Sequence, residues 1–170
     1  MSFVANDIQL RPLQETDIDL LITWFKEPHV AYWWATEAAM TDEELFAKYS
    51  RKIAAPQEKA FVVLLAGKPI GYVQVQDTSV ANGWWENEPP GTWSLDILLG
   101  DNTLLGKGLG TLIVQEAVAF LFTNAPINRI ICDPHPHNVA AIRCYEKAGF
   151  KQVGERLTPD GEALLMVVEQ

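Results

Sequence analysis

The stretch LLGKGLGT, residues 104–111, crowds three glycines around one lysine and leads into the apolar run VQEAVAFLF. Glycine is costly inside a helix, so such a cluster marks a tight turn or a backbone that must come close to something. A loop that enters a helix N-terminus presents unpaired N–H groups and a partial positive charge, which suits a phosphate. The spacing excludes two common nucleotide loops. In G-x-x-x-x-G-K-[ST] the lysine follows the last glycine, whereas Lys107 lies between Gly106 and Gly108. The dinucleotide pattern G-x-G-x-x-G also fails, because Gly106, Gly108 and Gly110 alternate. The loop alone is consistent with a plain turn and with an anion site, and the rest of the chain has to decide.

Upstream of the loop, TWSLDILLG reads as a strand. Before it, AFVVLLA and PIGYVQVQD form a hairpin joined at Gly67 and Lys68, with a Gly/Asn/Glu/Pro-rich loop after it. Nearer the start, IQLRPL alternates as a half-buried strand. Thr16 precedes the helical segment DIDLLITWFKE, which ends at Glu27 and Pro28. A second helix opens at Thr41 with the capping box TDEE and runs through Leu45, Tyr49 and Ile53. Downstream of the loop, INRIICDP reads as a buried strand and NVAAIRCYEKAGF as a helix with Gly149 at its C-terminus. FKQVGERL and EALLMVVEQ close the chain around the turn TPDG. The order β, α, α, β, β, β, α, β, α, β, β predicts an undivided α/β domain over residues 1–170, a sheet with helices on both faces.

Composition narrows the function. The chain has 170 residues, 48% of them hydrophobic, which is enough for one domain with a substantial core. No apolar run is long enough to span a bilayer, and no signal segment opens the sequence. Two cysteines, Cys132 and Cys144, make no disulfide framework, so a soluble cytoplasmic protein is expected. Acidic residues outnumber basic ones 22 to 13, for a net charge of −9. That balance is the reverse of a nucleic-acid binder's and suits either plain solubility or attraction of a polycation.

A strand, a glycine loop, a helix, a further strand and then N-x-x-A-x-x-x-Y-x-x-x-G-F resemble the GNAT N-acetyltransferases. The matching segments are LGKGLGT at 105–111 and NVAAIRCYEKAGF at 138–150. The family loop commonly opens with Gln or Arg, where this chain has Leu105; backbone N–H groups, not that side chain, hold the phosphate. GWWENE at 83–88, SLD at 94–96, DPHPHN at 133–138, TPDG at 158–161 and the tryptophans of VAYWWATE are similar to those of the aminoglycoside 6'-N-acetyltransferases. The siderophore-type lysine N-acyltransferases are near relatives with similar segments.

The resemblance implies a mixed central sheet whose splayed strand pair holds the pantetheine of acetyl-CoA. Backbone N–H groups of Gly106, Lys107, Gly108, Leu109, Gly110 and Thr111 then take the pyrophosphate, and Lys107 adds a charge-assisted contact. A main-chain N–H near Leu98 holds the acetyl oxygen, and Asn138, which by type caps its helix, also contacts the pantetheine.

Acetyl transfer to an amine needs a proton acceptor, a donor to the carbonyl oxygen and a proton for the leaving thiolate. Asp96 is an acid in an otherwise apolar strand. It is either a strand-end cap or a group that orients the substrate ammonium and takes its proton, as the matching aspartate does in the resembling enzymes. Tyr145 has the spacing of a core aromatic. The resemblance adds a phenol near the sulfur. Trp34, Trp84, Trp85, Glu86, Glu88, Asp133 and Asp160 are individually ordinary, but as a set they suit an acceptor with several ammonium groups on apolar-faced rings. His135 and His137 alternate without a third ligand, so no metal is expected.

The expected function is acetyl transfer from acetyl-CoA to a primary amine, the 6'-amine of an aminoglycoside, in a ternary complex. An acyltransferase for a lysine-type siderophore precursor or polyamine, and an inert CoA-binding sensor, are the alternatives. The expected partners are a small cationic substrate and no nucleic acid or membrane, with a monomeric or weakly dimeric chain.

Overall fold

The computed structural model describes residues 2–80, 85 and 87–170. Seven strands form one sheet in the order β1-β2-β3-β4-β5-β7-β6: β1 Ile8–Pro12, β2 Glu58–Leu65, β3 Lys68–Asp77, β4 Thr92–Leu99, β5 Arg129–Cys132, β6 Lys151–Thr158 and β7 Gly161–Glu169. Every neighbouring pair is antiparallel except β4 and β5, which are joined by a crossover helix and run parallel. The helices are α1 Ile18–Phe25, α2 Pro28–Ala31, α3 Ala35–Ala38, α4 Asp42–Ala54, α5 Leu109–Asn124 and α6 Val139–Lys147.

Strand alternation builds a core on each face. Val62, Tyr72 and Leu98 point to one side and pack with Leu21, Phe25, Leu45 and Tyr49 of α1 and α4. Phe61, Val63, Val73 and Leu95, one residue out of phase, point to the other side and pack with Ile113 and Ala117 of α5 and with Tyr145 of α6. No helix among the described residues is long and apolar enough to cross a membrane.

Local signals explain most element ends. The Thr41 amide donates to Glu44 Oε2 at 2.8 Å and the Glu44 amide to Thr41 Oγ1 at 3.2 Å, so TDEE is the reciprocal cap its spacing predicts. Past α6, the Gly149 amide donates to the Glu146 carbonyl and the Phe150 amide to that of Tyr145, the bond pair of a Schellman motif.

Three readings are corrected. The β2–β3 turn is Ala66–Gly67, with φ of 49° and 79°, and Lys68 already belongs to β3. The opening helix starts at Ile18, after a short 3-10 turn over Glu15–Asp17. There Asp17 is held by two 2.9 Å bonds from Arg11 and accepts the Gln14 amide, which is why the chain turns before the helix begins. Finally, the chain between Pro28 and Thr41 is not bare loop. It makes two single turns, α2 with Pro28 at its first position and α3, too short to leave a periodic apolar signature.

Candidate active site

The β4–β5 ladder covers only Thr92, Trp93 and Ser94 against Arg129, Ile130 and Ile131. Beyond Ser94, β4 remains paired to β3 as far as Leu99, while its other side has no strand partner among the described residues. The two parallel strands therefore part at their C-terminal ends, where open α/β sheets bind ligands. A cavity of about 890 Å³ lies there. It is lined from one face of the sheet by Asp96 and Gln74, and from the other by Ile97, Asn138, Ala141 and Tyr145. The gap thus connects the two faces, so that one molecule can enter from each.

The glycine loop follows β4. Gly108 is the N-cap of α5 with φ of 80°, a conformation that costs a residue with a side chain roughly 1–2 kcal/mol. The α5 ladder begins with the Leu112 amide on the Gly108 carbonyl, so the amides of residues 109–111 have no helical acceptor. A Cβ at Gly106 or Gly108 would meet nothing within 4 Å. The space beside these backbone atoms is open, as an anion held by amides requires. Gly110 differs. A Cβ there would lie 2.9 Å from Cys144 Sγ on α6, so this glycine lets α5 and α6 close on each other. That contact sets the start of α5 beside the helix that carries Tyr145.

Asn138 caps α6, its Oδ1 accepting the Ala141 amide at 3.3 Å, and it also lines the cavity. Tyr145 is buried, its ring 5.3 Å from that of Phe150. Burial, followed by nearby Cys132 and acids, holds its phenol well above its usual value, so it stays protonated and able to donate. Asp96 sits opposite Gln74 in the β3–β4 register and accepts from its Nε2 at 3.1 Å. Burial pushes the Asp96 carboxyl up. The Gln74 bond and the Lys52 charge pull it down, while Glu37 and Asp160 push it up again. Asp133 is raised to about 8, by burial first and then by Asp96 and Asp160. Four acids in the cavity, Asp96, Asp133, Asp160 and Glu162, have no salt-bridge partner among the described residues.

Most of the acceptor-site candidates converge. Trp34, Trp85, Asp133 and Asp160 line the cavity with Asp96. Trp34 also packs on Phe25 and Tyr72, tying the cavity wall to the core. Glu88 goes elsewhere: it binds Arg129 Nε at 3.0 Å, and Arg129 also binds Glu169. Trp84 and Glu86 lie outside the described residues. His135 and His137 also line the cavity; His135 Nδ1 accepts the His137 backbone amide at 3.0 Å and its ring lies 6.0 Å from that of Trp33. Sequence reasoning missed Gln74, Glu37, Lys48, Lys52, Glu58 and Glu162, all of which line the cavity. The i, i+4 spacing of Lys48 and Lys52 was a visible signal, but nothing in the sequence told which face of α4 it occupied.

Residues 14–157 match the family model described as an acetyltransferase (GNAT) domain. The chain belongs to the GNAT acetyltransferase family. It is 40% identical over 168 residues to an aminoglycoside N(6')-acetyltransferase type 1 of Klebsiella pneumoniae, covering 96% of this chain and 84% of that protein. It is 27% identical over 165 residues to the lysine N-acyltransferase MbtK of Mycobacterium tuberculosis, covering 94% and 76%. Among solved structures, AAC(6')-Ib in complex with paromomycin and acetyl-CoA superposes with a TM-score of 0.90 at 38% identity, covering 96% of this chain and 94% of that one. The GNAT fold, with its seven-stranded mixed sheet and helices on both faces, is the one the glycine loop and helix motif implied.

Proposed function

We propose that this GNAT acetyltransferase transfers an acetyl group from acetyl-CoA to the 6'-amine of an aminoglycoside. The observation that carries the reading is the set of four unpaired carboxylates in a cavity that passes through the gap between β4 and β5. Burial makes the charge of Asp96 and Asp133 costly, Asp160 and Glu162 add exposed negative charge beside them, and a polycationic ligand offsets the whole set. The relatives named for aminoglycoside N(6')-acetylation support the same acceptor class.

Acetyl-CoA supplies the thioester. The residues of this chain supply placement and proton handling. Open amides at residues 106–111 and the N-terminal end of α5 receive the pyrophosphate, with Lys107 beside them. Asn138 and the backbone near Leu98 border the pantetheine arm. Asp133 and Asp160 hold acceptor ammonium groups, and Trp34 and Trp85 offer ring faces to the sugars. Asp96 orients the reacting amine and takes its proton. Its raised affinity for a proton brings it nearer the operating pH, which favours a general base. Tyr145, kept protonated, donates to the departing thiolate. Holding two substrates in line contributes up to roughly 7–11 kcal/mol in well-oriented cases. A cytoplasmic setting and a monomeric or weakly dimeric chain belong to the same proposal.

The test is direct. Purified protein with acetyl-CoA and kanamycin should release thiol and give a singly acetylated product by mass spectrometry. An analogue with a hydroxyl in place of the 6'-amine should not react. Equal reaction of that analogue moves the site of transfer to another amine. Turnover confined to lysine-like small amines replaces the aminoglycoside by a siderophore precursor.

A further inference from the structure

Lysines are out of place in a cavity that takes cations. Lys48 and Lys52 lie one turn apart on α4 and both line the cavity. Lys48 Nζ is 2.6 Å from Glu37 Oε1 on α3, and Lys52 Nζ is 3.2 Å from Glu58 Oε1 at the start of β2. The Lys52 side chain is 11% exposed and that of Lys48 30%. The Lys26–Asp42 pair shows the contrast. Its side chains are 58% and 65% exposed, and it is a solvated surface contact. The two cavity pairs are shielded from water, where an ammonium is held firmly against its acid because neither charge can be left alone.

The cavity therefore has two unlike walls. On the α4 side the carboxylates of Glu37 and Glu58 are already neutralised from within the chain. On the other side Asp96, Asp133, Asp160 and Glu162 are not. A lysine ammonium is the same chemical group as the primary ammonium of an aminoglycoside. Resting on the acetylation reading above, we infer that Lys48 and Lys52 determine acceptor specificity by occupying Glu37 and Glu58 as built-in ammonium groups. The acceptor's own ammonium groups are then confined to the wall around Asp96, Asp133, Asp160 and Glu162. An acceptor that places a hydroxyl against α4 is favoured over one that places an ammonium there, since the latter meets two fixed cations whose acids are used. This is discrimination by repulsion rather than by added contacts. The substrate class is an amino sugar with its ammonium groups gathered near the reacting amine and a hydroxyl-bearing ring at the far end.

The experiment measures kcat/KM for kanamycin and for a series of derivatives, each with one hydroxyl replaced by an amine. Lys48→Gln and Lys52→Gln remove the charge and keep most of the side chain's length. For the derivative whose new amine faces α4, the amine-to-hydroxyl ratio of kcat/KM should rise about tenfold, the change expected for gaining one charge-assisted contact. For Lys48→Gln the gain should sit in KM, with kcat nearly constant; Lys52→Gln also removes a charge that holds the Asp96 carboxyl down, so its ratio is read at a pH above the acid-side limb of kcat. Lys48→Arg and Lys52→Arg keep the cation and should keep the wild-type ratio. Glu37→Gln and Glu58→Gln probe the same pairs from the acid side, so the question survives if a lysine variant does not fold. They release a lysine charge and should lower the ratio. Ratios unmoved across the series, in variants that still turn over kanamycin, overturn the inference alone. Wild-type protein that acetylates no member of the series overturns the acceptor reading as well.

Discussion

Gln74 Nε2 donates to Asp96 Oδ2 at 3.1 Å, and Tyr72 OH donates to Gln74 Oε1 at 3.0 Å. The phenol fixes which way the amide faces, because its donor must meet the amide oxygen. Burial keeps Tyr72 protonated, so this orientation holds through the working pH range. One carboxylate oxygen of Asp96 is thereby engaged. On the proposed role of Asp96 as proton acceptor, the other oxygen meets the substrate amine and Gln74 is a positioning residue.

Asp96→Asn keeps size and most hydrogen bonding and removes basicity. Turnover should fall by roughly 10²–10⁴-fold, with acetyl-CoA affinity nearly unchanged. Gln74→Leu should act differently. The Gln74 bond holds the Asp96 carboxyl down against the rise caused by burial. Losing it should move the acid-side limb of kcat to higher pH, with activity recovered at alkaline pH. A pH–rate profile for the three proteins checks this. An unmoved limb in the Gln74 variant separates the two residues.

Gly108 and Gly110 should fail for different reasons. Gly108→Val places a branched side chain in the open space beside the loop amides and on a backbone of positive φ, so acetyl-CoA affinity should fall. Gly110→Ala instead presses on Cys144 Sγ. Overpacking of this kind costs about 1–3 kcal/mol of stability. Gly110→Ala with Cys144→Ala should recover most of that loss. Thermal melting of the single and double variants, beside calorimetry with CoA, distinguishes packing from binding.

His29 fastens the end of β4. Its Nε2 lies 2.8 Å from the Leu99 carbonyl, while Nδ1 is buried without a partner among the described residues. Glutamine can set its amide nitrogen where Nε2 lies, and asparagine reaches only as far as Nδ1. His29→Gln should therefore stay close to wild type in stability. His29→Asn leaves the Leu99 carbonyl unmatched, at a cost of about 1–3 kcal/mol. Denaturant unfolding of both variants provides the comparison.

The fold was legible wherever local chemistry repeats with a period or a cap: the glycine loop, the Thr41 box, the alternation of β2 and β3. The site was legible where a residue contradicted its surroundings, as Asp96 does in LDILL. Gln74 was not, because its meaning lies in the cross-strand register that sets it opposite Asp96. Glu88 misled for the same reason. It was grouped with the acceptor acids by its neighbours in sequence, but its partner Arg129 arrives from β5. Lys48 and Lys52 were not legible either, because their acids arrive from α3 and β2.

Asp133 should report acceptor binding through its proton. In the acceptor-free protein its carboxyl sits at about 8, raised by burial and by Asp96 and Asp160, against about 3.9 in an unfolded chain. A carboxyl raised on folding contributes stability at pH below its unfolded value and loses that contribution as pH climbs through the folded one. The melting temperature of the free protein should therefore decline between about pH 4 and pH 8, and Asp133→Asn should flatten the decline. A bound polycation reverses the balance. An ammonium beside Asp133 favours the carboxylate, so its pKa drops and near pH 7 a proton leaves on binding. Calorimetry with kanamycin in buffers of different ionisation heat measures that release. Asp133→Asn should abolish the part due to this group while retaining any proton lost from the drug's own amine. Thermal stabilisation by kanamycin should likewise be larger at pH 8 than at pH 5 in the wild type, because only at the higher pH is there a repulsion among acids to relieve. Equal proton release from wild type and Asp133→Asn would assign the titration to another group and leave Asp133 as a neutral hydrogen-bonding wall.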